Sequence, residues 1–200
     1  AGVEISVAAT KSFLAQLHTI LLFAIALADK EKHNLLGYKL LNQALPQLSR
    51  LIKKSLDIEN DILKIAKNWH RKKQGLLIGR GVHYPIALEG ALKIKETAYI
   101  HMEACPAGEL KHGTLALLER NMPVIVLAPD DAQLVKMQST IEEILTRGAQ
   151  VLILAGQALN IRSRSNLKII RLPKTISSYF SHCVYTVPLQ LLAYNNACFK

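Results

Sequence analysis

The chain has 200 residues, half of them hydrophobic and 20% charged, enough for one ordinary core and too apolar for a disordered segment. Its net charge is +10, yet aromatics make up only 6%, and apart from two short clusters, Arg71–Lys73 and Arg162–Lys168, the basic residues are scattered. Without a nucleic-acid-binding motif beside them, those charges are better suited to steering a small anionic ligand, and neither nucleic acid nor a membrane is expected as a partner.

The first element predicted is a long helix from Ala8 to Lys30, capped by Ser6 or Thr10. Its apolar stretch, Phe13–Ala28, is shorter than a membrane span and contains Gln16 and His18, so it reads as a buried helix. A polar break at residues 30–34 precedes two further helical patterns, 36–55 and 57–70. In the second, Ile58, Ile62, Ile65 and Trp69 recur at helical spacing, with Asp57 as the expected cap.

Beyond Lys73 the pattern changes. Four short apolar runs, at 75–79, 123–128, 149–155 and 167–172, are bounded by Gly, Pro, Asn or Asp. Runs apolar on both faces suit strands of a covered parallel sheet. Helical patterns lie at 84–101, 131–147 and 177–199, and Pro188 in the last should kink it or mark its start. Strand–helix alternation predicts an α/β fold, a three-layer α/β sandwich with a mainly parallel sheet. Ligands in such sheets sit beyond the carboxyl ends of the strands, which directs attention to loops at 79–84, 101–114 and 129–131.

Three cysteines, Cys105, Cys183 and Cys198, are far apart and form no C-x-x-C pair, so no zinc site, disulfide framework or other metal or cofactor site is signalled. Free thiols and a reducing, cytoplasmic setting are expected. Gly79-Arg-Gly81 lacks the spacing of a dinucleotide fingerprint.

The richest polar content lies between residues 79 and 114. Glu89, Lys93 and Glu96 fall on one helical face. That stripe can be a solvated row of ordinary ion pairs. It can also be a carboxylate base beside an ammonium that stabilises developing oxyanion charge, the equipment for moving a proton between two sugar carbons. His112, between glycines in GELKHG, can shuttle protons near neutral pH or can be an idle loop histidine. His83 can cap a helix or line the cleft, and His182 beside Cys183 faces another way on a helix, so no nucleophile–base pair is expected there.

The segment LEGALKIKE followed by GELKHG resembles the second sugar isomerase (SIS) domain of glucosamine-6-phosphate synthases, and AGVEISVAATKSF, MPVIVLAP and YTVPLQLLAY extend the likeness over the whole chain. The resemblance implies the SIS fold and a conversion of fructose 6-phosphate to glucosamine 6-phosphate with ammonia from glutamine. It implies that Glu96 is the proton-transferring base, with Lys93 beside it, and that His112 opens the sugar ring in the partner subunit's site of a homodimer. Val7 and Ala8 correspond to backbone lining the sugar site, and Arg80 and Glu89 to positions around the cleft or dimer interface. A helix and linker of a preceding SIS domain are expected at 1–32 and the second SIS domain at 33–200. The family's glutaminase domain, serine-rich phosphate loop and lysine-bearing tail have no counterpart in the sequence, and Ala9 and Thr114 depart from its usual serine and proline. The chain is therefore expected to be a fragment, inactive alone. The competing expectation is a non-catalytic sugar-phosphate-sensing module of the same fold.

Overall fold

A computed structural model describes residues 1–30, 35–175 and 180–200. Three helices come first: α1 (Lys11–Lys30), α2 (Leu35–Leu56) and α3 (Glu59–Trp69). There follow β1 (Gln74–Gly79), α4 (Tyr84–Ala98), β2 (His101–Pro106), β3 (Pro123–Ala128), α5 (Leu134–Thr146), β4 (Gln150–Ala155), β5 (Leu167–Arg171) and α6 (Ser181–Cys198). The strands form one sheet in the order β2-β1-β3-β4-β5, and every pairing is parallel.

Alternation along the strands sends successive side chains to opposite faces. Leu77, Ile125, Leu127, Leu152 and Leu154 face a layer made by α3, α4 and α6. Leu76, Ile78, Val124, Val126 and Ile153 face α5 and the segment joining β2 to β3, where Leu110 and Leu118 are buried. This is the expected three-layer α/β sandwich. The layer on α4 and α6 is closely packed: a Cβ placed on Gly90 of α4 would lie 2.5 Å from Leu189 Cδ1 of α6 and 3.0 Å from Leu77 Cδ1.

Several expectations need correction. The stretch opening at His101 is an edge strand rather than a loop. With exposed His101 and Glu103 interrupting buried Met102 and Cys105, it lacks the continuous apolar run of a central strand. Helix α3 is capped at Ile58 without a side-chain hydrogen bond, so Asp57 does not cap it, and the acidic groups of its first turn are Glu59 and Asp61. Pro188 lies well inside α6 and marks no start. Finally, α1 is not a buried helix. Its length and composition are those of a possible membrane span, yet only 6% of that window is buried, and Ile20, Leu22, Phe23 and Leu27 are exposed. Leu14 and Leu21 pack beside buried Leu48 of α2 and Phe180 and Cys183 at the head of α6. The polar break at 31–34 and the expected domain boundary between 32 and 33 lie outside the described residues.

The cap of α1 comes from further away than Thr10 or Ser6. The Glu4 carboxylate accepts the backbone N–H groups of Thr10 and Lys11, each at 2.7 Å, and the hydroxyl of Ser12. These bonds, the Ser12 hydroxyl foremost, hold the Glu4 carboxyl down at about 2.

Both basic clusters are partly engaged within the chain. Lys72 donates to the Asn121 carbonyl, Lys168 pairs with Asp61, and Arg164 pairs with Glu142.

Candidate functional site

Helix α4 begins at the carboxyl end of β1 and is buried along one side by α6 and the sheet. That packing covers the lysine of the Glu–Lys–Glu stripe. Lys93 is only 4% exposed, so the stripe is not a solvated row. Its ammonium lies 2.8 Å from Glu96 Oε2 and 3.6 Å from Glu89 Oε1. Glu96, the more open carboxylate at 28% side-chain exposure, can meet a ligand; Glu89, at 13%, is sunk beneath it. Burial pushes the Glu89 carboxyl above its ordinary range, against the opposing pull of Lys93.

Lys93 opens onto a cleft of about 290 Å³ shared with Thr97, with Gln190 and Tyr194 of α6, and with the N-terminal segment at Ser6, Ala8 and Thr10. Gln190 donates to the Thr10 carbonyl at 3.3 Å, and the Thr97 hydroxyl to the Lys93 carbonyl at 2.8 Å. The cleft therefore joins three parts of the chain. Ala8 is at its wall, whereas the Val7 side chain is exposed. Ser6 reaches across Val7, receiving the Ala8 N–H at 3.0 Å, so the backbone here is folded back on itself. The ammonium has three donors and hydrogen-bonds only Glu96 among the described residues, so it retains donors for an oxygen in the cleft.

The other candidates lie elsewhere. Arg80, just after β1, donates to Gln133 at 3.1 Å and is not part of the Lys93 cleft. His112 is exposed in the turn after β2, where its N–H donates to the Glu109 carbonyl at 2.9 Å, and it does not line its own chain's cleft. His18 Nδ1 donates to the Leu14 carbonyl at 2.6 Å, and its Nε2 lies 3.5 Å from the Cys183 sulfur. Burial pushes the Cys183 thiol up to about 12, which makes it a packing group rather than a nucleophile. Cys105, Cys183 and Cys198 are all free. Thr97, Gln190 and Tyr194 were not singled out from sequence. Gln190 carried the one available signal, a lone amide within the apolar run VPLQLLA.

A family model described as the SIS domain matches residues 69–198. The glutamine–fructose-6-phosphate aminotransferase [isomerizing] of Bordetella pertussis is 43% identical over 208 residues, covering 100% of this chain and 33% of that protein. The enzyme of the same name from Neisseria meningitidis serogroup B is 42% identical, covering 98% of this chain and 32% of the relative. Among solved structures, the C-terminal domain of glucosamine-fructose-6-phosphate aminotransferase from Francisella tularensis superposes with a TM-score of 0.94 at 36% identity, over 100% of this chain and 56% of that one. The chain thus spans about a third of the length of the curated relatives it matches. With a five-stranded parallel sheet between helical layers and a family match covering most of its length, the chain belongs to the SIS domain family.

Proposed function

We propose that the chain is the second SIS domain, with an adjoining helix, of an isomerising glutamine–fructose-6-phosphate aminotransferase, and that it supplies half of that enzyme's sugar site. The observation that carries this reading is the buried Lys93 ammonium, held 2.8 Å from Glu96 on a cleft whose far wall is the Ser6–Thr10 backbone. Of the triplet only Lys93 lines the cleft, with Glu96 paired beside it, and a nearly buried ammonium facing a cleft favours chemistry over simple stabilisation.

In this proposal Glu96 takes a proton from one carbon of the opened sugar and returns it to the next. Lys93 pairs with Glu96 and turns a free N–H toward the oxygen on which negative charge develops. Glu89 fixes the lysine from behind. Val7 and Ala8 contribute backbone to the sugar, and Arg80 lies at the end of the sheet away from this chemistry. His112, exposed on its turn, opens the sugar ring in the partner subunit's site of a homodimer. Fructose 6-phosphate and glucosamine 6-phosphate are the substrate and product, and the ammonia comes from a glutaminase domain of the parent chain through a first SIS domain. The exposed apolar face of α1 packs against that first SIS domain, and the enzyme works in the cytoplasm.

The test is Glu96→Gln in the complete enzyme. The amide preserves shape and cannot accept the proton, so isomerisation should fall about 10²–10⁴-fold while glutamine hydrolysis is retained. Isomerisation near the wild-type rate would remove Glu96 from the role of base. Subunit mixing tests the placement of His112: inactive Glu96→Gln and His112→Ala chains should together recover activity, because one site of each mixed dimer then holds both intact groups.

A further inference from the structure

The sheet order changes direction between β1 and β3, and a crevice opens there beyond the strands' carboxyl ends. This crevice, about 260 Å³, is built by loops following β1, β3, β4 and β5 together with the first turns of α6. It is separate from the Lys93 cleft. His83 stands at the start of α4 and Lys93 ten positions along it, about 15 Å away at the rise of a helix.

Its polar groups are distinctive. His83 is 2% exposed, lines the crevice, and has neither ring nitrogen bonded within the described residues. A buried imidazole with both nitrogens unanswered is rare, because each lost bond is costly where water is excluded. The ring is braced edge-on by Tyr185, with centroids 5.0 Å apart. Opposite lie two carboxylates. Asp130 accepts the Gln157 and Ala158 N–H groups at 2.7 and 2.8 Å, and Asp131 accepts the Gln133 N–H at 2.7 Å. These bonds fix both side chains and leave lone pairs over for a ligand. Gly156 permits the arrangement, since a Cβ there would collide with the Asp130 carboxylate.

We propose that this crevice is a second ligand site, for an unphosphorylated hexose or hexosamine. Each feature selects for that chemistry. A neutral imidazole offers one donor and one acceptor, and a sugar hydroxyl is both. Two fixed carboxylates accept from hydroxyl or ammonium groups and, outnumbering Lys174 on the same lining, repel a phosphate. Val82, Pro129 and Tyr185 provide apolar wall for a pyranose face. The volume lies below the roughly 300–1,000 Å³ of sites for larger ligands, which suits one monosaccharide ring and excludes a nucleotide sugar.

The experiment is a titration of the ¹⁵N-labelled 200-residue chain with D-glucose, D-glucosamine and glucose 6-phosphate, followed by amide and histidine-ring NMR shifts. Glucose or glucosamine should give saturable shifts at Val82, His83 and Gly156, and glucose 6-phosphate should bind there at least tenfold more weakly. His83→Leu, which removes the unanswered polar ring without a folding penalty, should weaken the sugar about tenfold, as should Asp131→Asn, whose amide oxygen can still accept the Gln133 N–H, should the leucine variant misfold. No saturable shift with either sugar overturns the proposal. So does tighter binding of the phosphate at these residues, or binding that survives both substitutions.

Discussion

Replacing Lys93 by Met tests whether the charged triplet is buried machinery or surface decoration. Methionine has nearly the same length and remains apolar, so it refills the space with little cavity. The wild-type ammonium attracts Glu96 at 2.8 Å and Glu89 at 3.6 Å. At the effective dielectric typical of such sites, each attraction is about 5 kcal/mol before the cost of taking the ammonium out of water. Removing one partner of a buried pair typically costs about 3–5 kcal/mol, and the partial exposure of Glu96 places this case near 3 kcal/mol at neutral pH. The loss has a pH signature. Burial already raises the Glu89 carboxyl against the pull of Lys93, so without Lys93 its penalty is fully present above the folded value and vanishes as pH falls below the unfolded one. Urea unfolding of wild type and Lys93→Met near pH 7.5 and pH 5, with equal m-values, measures this directly. A deficit under about 1 kcal/mol that ignores pH would match an exposed helical pair and refute the reasoning.

Three other outcomes follow from packing and burial. Burial lowers the His83 imidazole from 6.5 to about 4, with Asp131 opposing and His182 adding to the shift. A depressed histidine costs stability as pH falls from the unfolded to the folded value, so unfolding near pH 4 should be easier by on the order of 3 kcal/mol, an increment His83→Leu should lack. Gly90→Ala should lower stability by about 1–2 kcal/mol in thermal unfolding, because crowding against Leu189 outweighs the better helix former, and a shortened partner in Leu189→Ala should relieve the crowding. A thiol reagent should label exposed Cys198 in the native chain and reach buried Cys105 and Cys183 only on unfolding.

The central strands and the helices around them were legible because their apolar runs and periods are set by burial on known faces. β2 was not, since an edge strand with Glu103 outward and Pro106 at its end carries neither pattern. α1 misled for the opposite reason: its apolar surface was taken as evidence of burial, but a chain can present such a face outward. For the site, spacing put Glu89, Lys93 and Glu96 on one face but could not say whether water lay beside it; α6 decides that, from a hundred residues away in sequence. For the crevice at His83, the strand pattern pointed to the loops at 79–84 and 129–131, but Gly156 and Tyr185 join them only through the tertiary fold.

The Glu4 hook has a consequence for affinity. By reaching forward to Thr10, Lys11 and Ser12, it closes the N-terminal segment into a ring, and the Lys11 ammonium fastens the same ring by donating to the Val3 carbonyl at 3.0 Å. Ser6 and Ala8 lie inside that ring, at the edge of the Lys93 cleft. Their backbone is thus ordered when the chain folds, not when a ligand arrives, and the entropy of fixing it is absent from the binding step. A residue that touches nothing in the cleft thereby governs how tightly the cleft can hold what enters it.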